Sequence, residues 1–160
     1  IRQVEIVPIE VVVRNVAAGS LSKRLGIEEG TQLPRTLIEY CYKDDALGDP
    51  LINDDYIREM KLATPEELAF LRTSALKVNE LLGDIFAKCG LRLIDFKLEY
   101  GRLASDPSVL VVADEISPDS CRLWDIKTAE RMDKDRFRRD LGNFMEAYEE
   151  VLGRVKQSLA

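Results

Sequence analysis

An α+β fold, in which a mixed sheet carries one long packed helix and a C-terminal helical module, is what this 160-residue sequence predicts on three observations. Strand-like runs precede and separate the helical stretches without a regular strand–helix–strand beat, which argues against a doubly wound parallel sheet. Residues 65–89 keep apolar side chains at helical spacing throughout, and a second stretch does so from about Lys134 to Ser158. The hydrophobic and charged fractions, 46% and 32%, suit a domain with a real core, and no apolar run approaches the ~18 residues of a membrane span.

Each element has a local cause. Ile6 to Arg14, IVPIEVVVR, is β-branched and suits a strand buried on much of both faces. Gly19 and Ser20 stand just before a short helical stretch that Gly26 can close as a left-handed cap. Tyr40 to Pro50 reads as a strand followed by a polar loop. Thr64-Pro65-Glu66-Glu67 combines an N-cap threonine, proline at the first helical position and glutamate three residues on, a capping box. Leu68, Leu71, Ala75, Val78, Leu82, Ile85 and Cys89 then share one face, and Gly90 is placed to end a helix of roughly 37 Å at ~1.5 Å per residue. Leu91 to Glu99 alternates, Val109 to Ala113 is uniformly apolar, and Ser105 to Ser108 between them is turn chemistry, so the pair predicts a β-hairpin. Phe137, Leu141, Phe144, Tyr148, Leu152 and Val155 form the stripe of the last helix. A boundary after Trp124-Asp125 divides a central module, 1–125, from a helical module, 126–160.

Composition excludes several functions. The net charge of −6 lacks the basic field that phosphate-backbone binding uses, so nucleic acid is not an expected partner, nor is a membrane. The absence of histidine removes a Ser-His-Asp triad, a histidine zinc site and an imidazole base. Cys41, Cys89 and Cys121 are odd in number and far apart, which predicts neither a disulfide framework nor a zinc knuckle and points to a reducing, cytoplasmic setting. Ile1 to Val13 has no signal-peptide pattern.

Chemistry concentrates in the predicted hairpin. Asp95, Lys97 and Glu99 share one face of the strand. A turn centred between Asp106 and Pro107 would set Glu99 directly opposite Asp114, with Cβ atoms ~5 Å apart, where like charges are destabilising unless neutralised. A divalent cation would neutralise them, and two carboxylates plus water and phosphate describe a Mg²⁺ site of the phosphoryl-transfer kind. A salt bridge from Lys97 to Glu99 or Asp95 is the alternative, and spacing leaves both open. Downstream, Pro118 stiffens a turn presenting Asp119 and Arg122, which suit ribose hydroxyls and phosphate; an Asx-type turn with a surface ion pair is the plainer reading. Gly19-Ser20, with Arg14, Lys23 and Arg24 nearby, offers donors to an anion, or simple N-capping by Ser20.

Five segments in order, VVVRNVAAGSLSKRLGIEEG, YKDDALGDP, LIDFKLEYG, ADEISPDSCRLWD and MDKDRFRRDLG, resemble the phosphoribosylaminoimidazole-succinocarboxamide synthases, the SAICAR synthetases of purine biosynthesis. The resemblance implies a fold related to the ATP-grasp and kinase architectures. It also implies a ligase that uses ATP and Mg²⁺ to join carboxyaminoimidazole ribonucleotide to L-aspartate through an acyl phosphate. By this resemblance Glu99 and Asp114 bind the metal; Arg14, Ser20 and Arg122 hold the substrate's 5′-phosphate; and Asp119 contacts its ribose. Lys97 and Asp95 lie at the reacting groups, Lys43, Asp45 and Asp49 belong to a closing loop, and Arg138 helps hold aspartate or substrate. The family's N-terminal nucleotide lobe, with its glycine- and lysine-containing lid, has no counterpart in these residues. The chain is therefore expected to be a central and C-terminal portion, inactive alone and prone to associate, with a homodimer as the expected assembly. A non-catalytic phosphosugar- or anion-binding module is the main alternative, and a helical interaction domain with incidental charges the other.

Overall fold

A computed structural model describes residues 1–139 and 142–158, the side chains of Phe137 and Phe144 excepted. The chain divides into two interleaved compact units. The first comprises Ile1–Val13, Ile38–Lys77 and Lys97–Glu115, and the second Arg14–Leu37, Val78–Phe96 and Ile116–Ala160. Each contains part of three long strands, β2 (Ile9–Val16), β3 (Gln32–Tyr42) and β5 (Leu91–Leu103), and of the long helix α3 (Pro65–Lys88). Among the described residues no helix is long and apolar enough to cross a membrane.

In the first unit, β1 (Val4–Ile6) pairs antiparallel with the end of β5, and the short β4 (Leu51–Ile52) pairs antiparallel with β3. Val7, Ile9, Val11 and Val13 are fully buried and Glu10 nearly so, as a β-branched run covered on both faces predicts. The capping box at the start of α3 is reciprocal: Thr64 N–H donates to Glu67 Oε2 at 2.8 Å and Glu67 N–H to Thr64 Oγ1 at 3.2 Å. A short helix, α2 (Asp54–Glu59), is capped by Asn53, whose side chain accepts from two backbone N–H groups; neither it nor the start of β3 at Gln32 stands out in the sequence.

The hairpin of β5 and β6 (Asp106–Ala113) forms, but in a different register from the predicted one. Ala104 and Ser105 make the turn, Leu103 pairs with Asp106, and a shift then carries the pairing to Arg102 and Leu110. The Asp106 carboxylate accepts from both the N–H and the hydroxyl of Ser108, and Pro107, with no N–H to give, sits in the resulting bulge. Glu99 therefore lies opposite Ala113, and Asp114 stands one residue beyond, in the left-handed region at φ 71°.

In the second unit β5 also pairs antiparallel with β7 (Cys121–Asp125), a strand hidden in what reads as turn chemistry. A bulge between Leu93 and Asp95 brings Asp95 opposite Arg122. Val16, Ala18, Ile94 and Trp124 form one buried cluster, and Ala17, Leu21 and Leu33 another. Helix α1 (Gly19–Leu25) ends at Gly26 as predicted, but its N-cap is Ala18, so Ser20 does not cap it. Phe86 rather than Ile85 is buried near the end of α3. The predicted single helix over 134–158 is two, α4 (Asp135–Arg138) and α5 (Phe144–Ser158), because Gly142 and Asn143 adopt left-handed backbone and break the helical phase. The stripe then restarts with Ala147 and Val151 buried and Leu152 exposed. Leu141 and the Phe137 and Phe144 side chains lie outside the described residues.

Candidate functional site

The second unit holds a clamp of two arginines around one buried carboxylate. Arg14 Nη1 donates to Asp95 Oδ2 at 2.9 Å, and Arg122 Nη1 donates to both Asp95 oxygens at 3.0 Å. Arg14 Nη2 reaches the Ser20 hydroxyl at 2.9 Å, and Arg122 Nε reaches Asp135 Oδ2 at 3.0 Å. The side chains of Asp95 and Arg14 are 4% and 5% exposed, so these bonds form away from bulk water, where charge-assisted contacts are strong. Burial works against the Arg122 charge, yet the fields of Asp95 and Asp135 and their hydrogen bonds outweigh it and hold the guanidinium well above its ordinary value. Gly19, at φ 55°, lies flat against that guanidinium: a Cβ there would stand 2.7 Å from Nη2. Arg122 Nη2 has no acceptor among the described residues, so the clamp presents one open charged donor beside the first turn of α1.

The clamp continues outward with alternating charge. Arg139 lies 3.6 Å from Asp135 and bonds Glu29 through both terminal nitrogens, at 3.0 and 2.6 Å. Glu29 also accepts from Arg131 at 2.9 Å and, more distantly, from the Gly19 N–H at 3.4 Å. Its carboxyl is held below the usual range, first by the hydrogen bond from Arg139, against burial. Half-buried Lys134 is pushed down, first by burial and then by the fields of Arg122 and Arg138. Asp119 lies in the Ser117–Cys121 turn, where its N–H donates to Ser117 Oγ, and its Oδ1 accepts from the Tyr148 hydroxyl at 2.9 Å.

Asp133 beneath the clamp is fully buried; its oxygens accept the N–H groups of Leu123 at 2.7 Å and Asp135 at 2.8 Å. Burial nevertheless pushes the carboxyl up to about 6 from an ordinary 3.8. Between those values the folded chain binds the proton and the unfolded chain does not, so the stability linked to this group falls as pH rises from about 4 to about 6. Urea unfolding at pH 4 and pH 7.5 should show this as a difference between the wild type and Asp133→Asn, with the wild type losing on the order of 1–3 kcal/mol more between the two. An equal pH dependence in both proteins would count against it.

The first unit holds a second cluster. Lys97 Nζ donates to Glu10 Oε1 at 2.7 Å and to Glu99 Oε1 at 3.0 Å, and Lys43 Nζ donates to the same Glu99 oxygen at 2.8 Å. Burial depresses the Lys97 ammonium, but hydrogen bonds to Glu10 and Glu99 raise it well above its ordinary value. Glu99 is 6% exposed, and its Oε2 has no partner among the described residues. Asp114 is held below the usual carboxylate range, first by hydrogen bonding with Glu115, then, against slight burial, by the fields of Lys97 and Lys43. Asp44 caps the 3₁₀ turn Asp45–Leu47, while Asp49, at φ 49°, accepts from the Asp44 N–H at 3.0 Å. Among the described residues no group of three or more histidine, cysteine or acidic side chains could by itself hold a metal.

Comparison with known proteins places the chain in a family. The SAICAR synthetase family model matches residues 1–155. This chain belongs to the SAICAR synthetase family. The phosphoribosylaminoimidazole-succinocarboxamide synthase of Akkermansia muciniphila is 63% identical over 156 residues, covering 98% of this chain and 66% of that protein. The crystal structure of the Ehrlichia chaffeensis synthase superposes with a TM-score of 0.94 at 46% identity, over 96% of this chain and 65% of that one. A SAICAR synthetase solved in complex with ADP gives 0.91 at 48%, over 96% and 64%. The chain thus spans just under two thirds of the length of these relatives.

Within this chain, several residues singled out in the sequence come together. Arg14, Ser20, Asp95 and Arg122 meet in the second unit, and Lys43, Lys97 and Glu99 in the first. Asp45 stands exposed on the 3₁₀ turn, and Arg138 is exposed at the end of α4. Sequence reading missed Glu10, Glu29, Asp133, Asp135 and Tyr148. Only Glu10 carried a local signal, as the one charge inside the apolar run IVPIEVVV; the others depend on contacts with distant residues.

Proposed function

We propose that this chain forms the larger part of an ATP-dependent ligase that joins carboxyaminoimidazole ribonucleotide to L-aspartate, giving SAICAR, ADP and phosphate. The observation that carries this reading is the buried Arg14–Asp95–Arg122 clamp, with its open Nη2 donor against Gly19. A guanidinium fixed on two sides and open on the third is preorganised to receive a phosphate oxygen without paying to be ordered. Arg14, Ser20 and Arg122 are assigned the 5′-phosphate, Asp119 the ribose, and Arg138 the aspartate or the ribonucleotide.

A carboxylate is a poor electrophile because oxide is a poor leaving group. Transfer of the γ-phosphoryl of ATP to a carboxylate oxygen makes an acyl phosphate and releases ADP. The aspartate amine then attacks the carbonyl carbon, forms the C–N bond and expels phosphate. This sequence asks for positioning and charge stabilisation more than for side-chain acid–base chemistry, which suits a chain without histidine. Lys97, held charged by Glu10 and Glu99, is assigned to the transferring oxygens, and Asp95 to the reacting carboxylate through the arginines it orients. Lys43, Asp45 and Asp49 belong to a loop assigned to closure over the site. Glu99, through its open oxygen, and Asp114 are hard donors of the kind Mg²⁺ takes one or two at a time alongside phosphates, and would hold it. When bound, the ion supplies neutralisation of charge on the phosphate oxygens.

One observation also favours a phosphosugar-binding module without turnover: the clamp lies wholly within the second unit. Calorimetric titration separates the two readings. The ligase reading expects binding of both carboxyaminoimidazole ribonucleotide and Mg-ATP, whereas binding of the ribonucleotide alone assigns this chain to the module reading. Arg122→Ala should weaken ribonucleotide binding by tenfold or more, while Glu99→Gln leaves it unchanged and weakens Mg-ATP. Unaltered ribonucleotide affinity in Arg122→Ala would overturn the phosphate assignment.

A further inference from the structure

Asp119 stands at the surface with its two oxygens in different circumstances. Oδ1 accepts from the Tyr148 hydroxyl at 2.9 Å, whereas Oδ2 has no partner among the described residues. The carboxylate is tethered from both directions. Its own backbone is held in the Ser117–Cys121 turn, where Ser120 N–H and Cys121 N–H both donate to the Ser117 carbonyl, at 3.1 and 2.9 Å. From the other side, the Tyr148 ring lies in the wall of an apolar groove of about 500 Å³, shared with Phe86, Ile116, Pro118 and Val151, which leaves little freedom in where the hydroxyl points. Helix α5, which carries Tyr148, is itself fastened by Arg154, whose Nη1 donates to Asp125 Oδ2 at 2.7 Å. Burial, and then the Asp119 carboxylate, raise the Tyr148 phenol above its ordinary value, so it remains a donor throughout the neutral range.

We infer that Tyr148 is a positioning residue for sugar recognition: by holding one oxygen of Asp119 it aims the other at a ribose hydroxyl of the substrate. A free aspartate on an exposed turn samples several rotamers, and ordering it on binding weakens affinity. A carboxylate already ordered by a rigid phenol accepts the hydroxyl with that ordering done. The inference rests on the ribose assignment of Asp119, and it makes α5, remote in sequence from Asp119, part of the specificity for ribose.

The test uses the whole chain and two probes, 5-aminoimidazole-4-carboxamide ribonucleotide and its 2′,3′-dideoxy counterpart, titrated calorimetrically. The wild type should prefer the ribonucleotide. Tyr148→Phe, which removes a single hydroxyl, should reduce that preference about five- to tenfold, with affinity for the dideoxy probe within about twofold of wild type. Asp119→Asn should abolish the preference. Should Tyr148→Phe keep the full preference while Asp119→Asn loses it, the positioning role is overturned and the ribose assignment stands. An equal fall for both probes in Tyr148→Phe makes the tyrosine purely structural and overturns the role as well. A preference that survives in Asp119→Asn overturns the ribose assignment itself, and with it the inference.

Discussion

Truncating Asp95 to alanine should destabilise the chain by about 3–5 kcal/mol, the largest loss expected of any single substitution. Asp95 is the shared counter-ion of Arg14 and Arg122, which are 5% and 13% exposed in their side chains. Without it, two guanidiniums lose the carboxylate they share in a dry setting; Asp135 still neutralises Arg122, while Arg14 gives up its 2.9 Å bond to Asp95. Asp95→Asn retains the shape and one acceptor oxygen and should fall between alanine and wild type. Urea unfolding monitored by the fluorescence of Trp124, which packs in the same unit, measures both. A loss below about 1 kcal/mol for the alanine variant would mean that the clamp is not the buried electrostatic centre its geometry describes.

The second large effect is expected at Gly19. Alanine there meets two obstacles: a backbone at φ 55°, costing about 1–2 kcal/mol for a residue with a Cβ, and the Arg122 guanidinium 2.7 Å from the new atom. Gly26 is the built-in control, because it has a similar φ of 65° but open space around its absent side chain. Gly26→Ala should show only the backbone penalty. Gly19→Ala should show that penalty and, because the displaced guanidinium leaves its aimed position, a fall in ribonucleotide affinity of about a hundredfold. Equal affinities in the two variants would remove Arg122 from the phosphate assignment.

What was legible in the sequence was local. The capping box at Thr64, the β-branched strand around Val11 and the left-handed cap at Gly26 each depend on residues a few positions apart, and each is found where expected. The hairpin was legible as a hairpin but not in its register, because the pairing shift at Arg102 depends on how Pro107 is accommodated. In place of the expected Glu99–Asp114 opposition the hairpin sets Glu99 against Ala113, and the separate bulge in the β5–β7 pairing sets Asp95 against Arg122. Strand β7 escaped notice because five residues next to a Pro-Asp turn give no readable alternation. Asp135 reaches Arg122 across 13 positions and Tyr148 reaches Asp119 across 29, separations at which no spacing rule operates. The five-segment resemblance located Arg14, Ser20, Asp95 and Arg122 but gave no hint that one carboxylate would join both arginines.

The line of charges running Arg14, Asp95, Arg122, Asp135, Arg139, Glu29, Arg131 has a consequence for how this sequence can vary. Every interior member touches two neighbours of opposite charge, so a lone replacement takes one partner from each of them. Drift at these positions is thereby coupled. A lineage that loses one of the charges must alter its neighbours in step, and paired changes such as Glu29 with Arg139 should be far milder than their separate effects added together.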